Sequence, residues 1–290
     1  MKGEASFVGL AIAFACLAAL FAWLEARFRS VDAPAFFRRR DFRTDLAYWF
    51  FTPLVSRTFT RIAVGLAVTV LVWASGGSLA ELRAEVTAGR VPALGWELGR
   101  AQLAALPFAV QLLLGLVLAD FISYWMHRAF HAPPLWGLHA VHHSSPRLDW
   151  LSSVRLHPLN QAAMSVAQAV PLLFVGFDPR VFAVVAPLLT LYAIGIHANV
   201  GWDLGPLRRV VSSPRFHRWH HTSDAEGRDK NFAGLLPLWD LLFGTYYMPA
   251  GRAPSEFGAG EEPVPAGLWR QLAYPFRRPR AAEALARDRV

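Results

Sequence analysis

Residues 127–143 read HRAFHAPPLWGLHAVHH, so five of the ten histidines in a 290-residue chain fall within seventeen positions. The other five lie in RLHPLN, GIHANVGW and RFHRWHH. His127 and His131 stand four apart, which on a helix puts both imidazoles on one face, a turn from each other. His139, His142 and His143 follow the spacing i, i+3, i+4, and His217, His220 and His221 repeat it. Eight imidazoles in one layer repel when protonated and are costly to bury unpaired, so shared metal ions are the chemistry these clusters predict, with the eight as the candidate catalytic centre. A tetrahedral structural zinc takes four ligands, often thiolates. Eight to ten histidines exceed that and suit two metals, each with four or five nitrogen donors. Imidazole accepts Zn, Cu, Fe and Ni alike, so the donors alone leave the metal open. His157 and His197 are further candidate ligands, although each taken singly also reads as a hydrogen-bonded interfacial residue. Asp120, Asp149, Asp224 and Asp229 are candidate acceptors for the second ring N–H. Asp120 and Tyr124 extend the face of His127 backward, and Asp120 lies inside an apolar run.

The elements that must position these rings are apolar helices. The chain is 54% hydrophobic and only 17% charged, with a mean hydropathy of +0.30, against about 25% charged residues in ordinary soluble proteins. Phe7 to Leu24 is long enough to span a bilayer and reads as a retained first helix rather than a signal peptide. Further apolar blocks run from about Leu46 to Trp73 and from about Leu103 to Met126. Gln161–Phe177 and Val181–Ala198 form a hairpin, spanning or re-entrant, joined at DPR, where Pro179 and Asp178 signal a turn. The fold class predicted is all-α: an integral membrane protein of about four transmembrane helices, including the short hairpin, with a cytosolic histidine-rich cap. The expected division is 1–102 as N-terminal membrane helices and loops, 103–247 as the catalytic domain and 248–290 as a cytosolic tail.

The net charge of +8 comes mainly from arginines that flank apolar runs, which favours positive-inside anchoring over a nucleic-acid partner. The loop holding Arg27, Arg29, Arg38, Arg39, Arg40 and Arg43 is expected in the cytoplasm, whereas the loop from about Ser75 to Arg100 is balanced in charge. That topology puts the histidines on the cytoplasmic side. Cys16 is the single cysteine; it excludes an intrachain disulfide and a site built from several thiolates.

The H-x3-H of HRAFH, the H-x2-H-H of HAVHH and the late H-x2-H-H of HRWHH resemble the histidine boxes of the fatty acid hydroxylase superfamily, which includes sterol desaturases, sterol C4-methyl oxidases, lipid hydroxylases and alkylglycerol monooxygenase. The surrounding DFISYWMHRAFH, RLHPLN, HANVGWDLGPL, SSPRFHRWHHT and RDKNFAGLLPLWDLLFGTYY are similar to its bacterial sterol-desaturase-like branch. The resemblance covers about Asp120 to Tyr247. It implies a membrane-bound di-iron oxygenase of an endoplasmic-type or bacterial inner membrane that hydroxylates or desaturates a lipid with O2 as co-substrate. The eight box histidines carry over as ligands, His197 as an additional one and His157 as a less certain one; zinc is a possible substitute for the two irons. Asp120, Tyr124 and Asp224 are expected to support the ligands from behind.

Cleaving an unactivated C–H bond needs an oxidant stronger than a protein side chain, hence a redox metal. The chain carries no G-x-G-x-x-G fingerprint and no C-x-x-C-H haem site, so electrons must come from a separate ferredoxin or cytochrome. Arg208, Arg209, Arg215 and Arg218 could dock such an acidic carrier, or equally anionic lipid head groups. Trp136, Trp150, Trp219 and Trp239 are candidate pocket walls. The main rival is a membrane zinc hydrolase, but no H-E-x-x-H motif is present and no glutamate sits within a histidine box. A metal transporter or sensor would carry ionisable groups through the middle of its spans, whereas these histidines gather beyond helix ends.

Overall fold

The computed structural model describes residues 6–32, 35–87, 101–103, 105–260 and 264–277. It is all-helical: among the described residues β-pairing is limited to two isolated bridges, Arg29 with Val200 and Thr222 with Phe257. The helices are α1 (Phe7–Phe28), α2 (Phe42–Phe51), α3 (Arg57–Ala74), α4 (Leu79–Thr87), α5 (Phe108–Phe130), α6 (Pro133–His143), α7 (Pro158–Val175), α8 (Pro179–His197), α9 (Pro214–His220), α10 (Leu238–Leu242) and α11 (Leu268–Arg277). Much of the balanced 75–100 loop lies outside the described residues.

Among the described residues four stretches are long and apolar enough to cross a membrane: Phe7–Phe28, Phe42–Ala74, Phe108–Phe130 and Arg180–His197. The second is one continuous helical path because a π-turn over Thr52–Ser56 joins α2 to α3. Pro53 sits in that turn; its ring clashes with the carbonyl four residues back and it has no N–H to offer, so the ladder slips by one residue. The hairpin is α7 and α8, closed by Gly176 at φ 101°, a conformation that glycine adopts without the Cβ clash. α7 carries Asn160, Gln161 and Gln168 and is the more polar arm. Gln168 donates to the Ser123 hydroxyl at 2.5 Å and the Ala119 carbonyl at 3.3 Å, which ties α7 to α5. At Gly115, α5 meets α8 so closely that a Cβ would come within 2.6 Å of Val181. Ala119, Leu172, Phe177, Val181 and Val185 complete that contact.

A second core is aromatic. Trp150 is fully buried between Phe14, Phe21, Phe36 and Trp49, with Phe21 stacked on it at 5.4 Å. It therefore joins α1 and α2 to the 3-10 turn Trp150–Val154 and does not wall a pocket. A buried ionic cluster adjoins the histidines through Arg155, whose carbonyl meets His142. Arg39 pairs with Asp45 and Asp149, and Arg155 pairs with Asp45 and Asp41. Arg39, from the arginine-rich loop, points inward and is 6% exposed. Burial works against the charge on Arg155, but Asp45 and Asp41 hold it more firmly protonated than usual. Asp149 is thus committed to Arg39 and, by accepting from the N–H groups of Leu151 and Ser152, to capping the 150–154 turn. Burial drives its carboxyl up to about 7 against the pull of Arg39.

The 248–290 segment contributes α11, which packs on α6 and α2. Gln271 is buried and donates to the Ser144 hydroxyl at 3.1 Å, while Trp269 and Phe276 are exposed at 75% and 71%. This helix has one face on the cap and apolar side chains directed outward.

Candidate metal centre

Nine histidines converge in two groups. His127, His131, His139, His143 and His220 form one, and His142, His197, His217 and His221 the other; within each group the ligand atoms lie within 4.8 Å of one another. The helical period explains how the boxes divide. At about 100° per residue, positions i and i+4 are only about 40° apart, while i+3 lies on the far side of i. On α6, His139 and His143 therefore serve the first group and His142 turns to the second. On α9 the arrangement is exchanged: His217 and the capping His221 serve the second group and His220 crosses to the first. The end of α5 adds His127 and His131, and the last residue of α8 adds His197.

The rings face one another through Nε2. In the first group His127–His139, His139–His143 and His143–His220 are separated by 3.0, 3.2 and 3.1 Å. In the second, His142–His197, His197–His217 and His217–His221 are separated by 3.2, 3.1 and 3.1 Å. Behind them the Nδ1 atoms meet oxygen acceptors. His127 faces the Phe232 carbonyl at 2.7 Å, His131 the Asp229 carboxylate at 2.9 Å, His139 the Asn160 side-chain oxygen at 2.9 Å and His142 the Arg155 carbonyl at 3.1 Å. His197 and His220 face the Ala193 and Lys230 carbonyls at 2.6 and 2.9 Å. A ring that donates from Nδ1 keeps a bare lone pair on Nε2. Two pairs, His127–His139 and His142–His197, thus bring lone pair against lone pair in a dry interior, an arrangement that a bound cation relieves. Burial, and then the repulsion of neighbouring rings, keeps the pKa of His139, His142, His143, His217, His220 and His221 well below the usual histidine range, so the neutral, ligating form prevails. His131 Nε2 is buried without a hydrogen-bond partner among the described residues.

The remaining candidates are placed elsewhere. His157 caps α7, accepting from Leu159 N on Nδ1 at 3.2 Å and meeting the Leu272 carbonyl with Nε2 at 3.1 Å. Both nitrogens are spent on main-chain partners, and His157 belongs to neither histidine group. Asp120 does not support His127: it accepts from the backbone N–H groups of Leu235 and Leu236 and from the Trp239 indole, at 2.9, 2.9 and 3.0 Å. Tyr124 shares a hydrogen bond with Thr245 at 2.9 Å and accepts from Arg128, again away from the rings. Asp224 accepts with its main-chain carbonyl from Gly227 and Arg228, and among the described residues its carboxylate bonds no histidine. Backbone N–H groups and an indole claim the Asp120 carboxylate, and the Thr245 hydroxyl and Arg128 claim the Tyr124 oxygen.

The support comes instead from a strap over residues 229–240. Asp229, Lys230 and Phe232 hold His131, His220 and His127 respectively. Asp229 and Asn231 adopt left-handed φ of 56° and 58°, and the strap is pinned by Asn231 to Phe216 and Tyr247 and by Asp240 to Phe232 N, Ala233 N and Thr245. Burial raises the Asp240 carboxyl to about 6 despite these bonds. The hydrogen bond from His131 lowers the pKa of Asp229. Sequence reasoning did not find Asn160 or the carbonyl supports; the run RDKNFAGLLPLWD, adjacent to the last box, was the available signal.

Two replacements separate support from bystander. Asn160→Ala is expected to weaken metal binding by roughly 10–100-fold, whereas His157→Ala is expected to leave metal content unchanged; competitive chelator titration of both variants checks this.

Residues 112–245 match the family model described as fatty acid hydroxylase, a stretch that encloses all nine converging histidines. The chain carries a fatty acid hydroxylase domain. It is 35% identical over 173 residues to the ornithine lipid hydroxylase OlsE of Rhizobium tropici, covering 59% of this chain and 52% of that protein. It is 37% identical over 128 residues to alkylglycerol monooxygenase of Danio rerio, covering 44% and 28%. A very-long-chain aldehyde decarbonylase of Oryza sativa is 31% identical over 170 residues, covering 54% and 27%. The chain thus spans about half or less of the length of these relatives. No solved structure matches.

Beside the first group a cavity of about 290 Å3 reaches His131, His143 and His220 between Trp136, Arg228 and Asp229. Trp136 packs on the rings of His131 and His143 at 5.2 and 5.3 Å. Of the four expected tryptophan walls, Trp136 is the one that lines this opening to the first histidine group. Trp219 packs on Tyr247, and Trp239 on Phe121.

Proposed function

We propose that the chain is a membrane-embedded lipid hydroxylase that holds two irons in its histidine groups and inserts one oxygen atom of O2 into a lipid C–H bond. The observation that carries this reading is the pair of adjacent, nitrogen-only groups whose Nε2 lone pairs converge while Nδ1 is tied back to protein oxygens. Neither group includes a carboxylate that would act as the base of a zinc hydrolase, which favours oxygen chemistry over hydrolysis. Bound there, a redox-active metal pair would supply the reduction of O2 and the cleavage of an unactivated C–H bond.

The chain's own residues do the rest. The boxes set nine nitrogens around two points, and the strap and Asn160 fix the tautomers of His127, His131, His220 and His139. The rings gather at the ends of α5 and α8, so a membrane-dissolved lipid would leave its tail among the spans while the reacting carbon approaches the groups. Relatives named for an ornithine lipid and for alkylglycerol support a lipid substrate, and their names as hydroxylase and monooxygenase favour hydroxylation over desaturation. The arginine-rich 27–43 loop favours a cytoplasmic site in a bacterial inner membrane. A separate ferredoxin or cytochrome would supply electrons. Its docking face is reduced to Arg208 and Arg209, because Arg218 is fully buried and Arg215 is held by Asp203 and the Arg252 carbonyl.

Protein purified anaerobically from cells grown on iron-57 is expected to hold close to two irons per chain, one per group, with a coupled ferric pair in Mössbauer spectra after O2 exposure. Incubation with lipid extract, donor and 18O2 is expected to add one labelled oxygen to a lipid. Zinc retained from iron-replete, zinc-poor medium, with no label incorporated, would overturn the reading.

A further inference from the structure

Arg218 lies between His217 and His220 on α9, about 100° round the helix from His217. It is 0% exposed, and one of its terminal nitrogens donates to the Leu148 carbonyl at 2.9 Å. Its Nε and Nη2 are buried with no hydrogen-bond partner, and no carboxylate stands within ion-pair distance of it, among the described residues. Glu25, which acts on it electrostatically, spends a carboxylate oxygen on Asn199 N. The ring of Phe257 lies 4.6 Å from the guanidinium carbon, but a ring face satisfies no N–H donor. Leaving two donors of a buried cation unpaired is costly.

The same guanidinium lines a cavity of about 410 Å3, together with Arg147, Asn199, Ser223 and Ser255. Asp32 and Glu256 line it as well. The Asp32 side chain is fully exposed and meets Arg29, and Glu256 is itself an exposed residue. The cavity sits at the level where α1 and α8 leave the apolar layer: Gly201 N donates to the Phe28 carbonyl at 2.8 Å, and Asn199 bonds Val31 in both directions. Phe28 and Trp202 pack at 5.2 Å there, with Trp23 exposed alongside, as aromatic side chains do at head-group depth.

We propose that this cavity binds an oxyanion between Arg218 and Arg147, and that its source is the phosphoryl group of a bilayer phospholipid. A guanidinium presents paired donors that match a phosphate or carboxylate edge, and the two free nitrogens of Arg218 are such a pair. No histidine lines this cavity, so the proposal does not depend on the metal reading.

The test uses full-length, metal-loaded protein. Thermal unfolding in detergent is followed while inorganic phosphate replaces chloride at constant ionic strength. In parallel, native mass spectrometry reads the lipids retained from nanodiscs of digalactosyldiacylglycerol with and without phosphatidic acid. The native chain is expected to show saturable stabilisation by phosphate or retained phosphatidic acid, absent in Arg218→Gln. In Arg147→Gln, an exposed position that leaves folding intact, binding is expected to weaken by about tenfold, the loss of one charge-assisted contact. Retained phosphatidic acid identifies the head group as the source, and stabilisation by phosphate alone identifies a free anion. Neither response in the native chain, or an unchanged response in Arg147→Gln, would overturn the site.

Discussion

Replacing His142 by alanine is expected to remove one metal per chain and to abolish lipid hydroxylation, while the protein still inserts in the membrane. His142 belongs to the smaller group, so its loss leaves three nitrogens, His197, His217 and His221. It also leaves the Arg155 carbonyl without its donor. The fall in activity should exceed the roughly 10–100-fold typical of losing a support behind a ligand. His220→Ala is expected to empty the first group less completely, because four nitrogens remain there. Metal analysis, with 18O2 incorporation measured on the same preparations, separates the two. Full metal occupancy in His142→Ala would remove that residue from the ligand set.

The second large effect is on stability. Asp45 is fully buried on α2 and bonds both Arg39 and Arg155. Asp45→Ala would take a shared carboxylate from two buried guanidinium groups, leaving Arg39 to Asp149 and Arg155 to Asp41; breaking a buried pair from one side costs up to about 3–5 kcal/mol. The damage should spread to the metal site, because Arg155 is also the residue whose carbonyl holds His142. Asp45→Asn keeps the shape and one acceptor oxygen and is expected to lose less. Denaturant unfolding in detergent, read with and without bound metal, checks both; a loss under about 1 kcal/mol for the alanine variant would mean the arginines find other partners.

Much of this molecule is written locally. The apolar runs have the length a bilayer demands, and helices are the natural way to satisfy the backbone there. The spacing of H-x3-H and the two H-x2-H-H boxes fixes which rings share a helix face, and the number of imidazoles asks for more than one cation. These are properties of neighbours in the chain, so they could be read without coordinates. What tertiary structure decided is which box feeds which group. The helical period sets His142 and His220 apart from the i, i+4 pair of their own boxes, and only the fold shows that His142 joins the second group and His220 the first. Only the fold shows that the 230–232 carbonyls, and not Asp120, Tyr124 or Asp224, stand behind the rings. His157 has the residue type of a ligand, but a helix end and the distant Leu272 carbonyl use up its nitrogens. The same holds for charge: Arg39 and Arg218 look like surface arginines in sequence, and one is buried among carboxylates while the other faces a cavity. A side chain's type sets the bonds it can make, and long-range packing chooses the partner that arrives first.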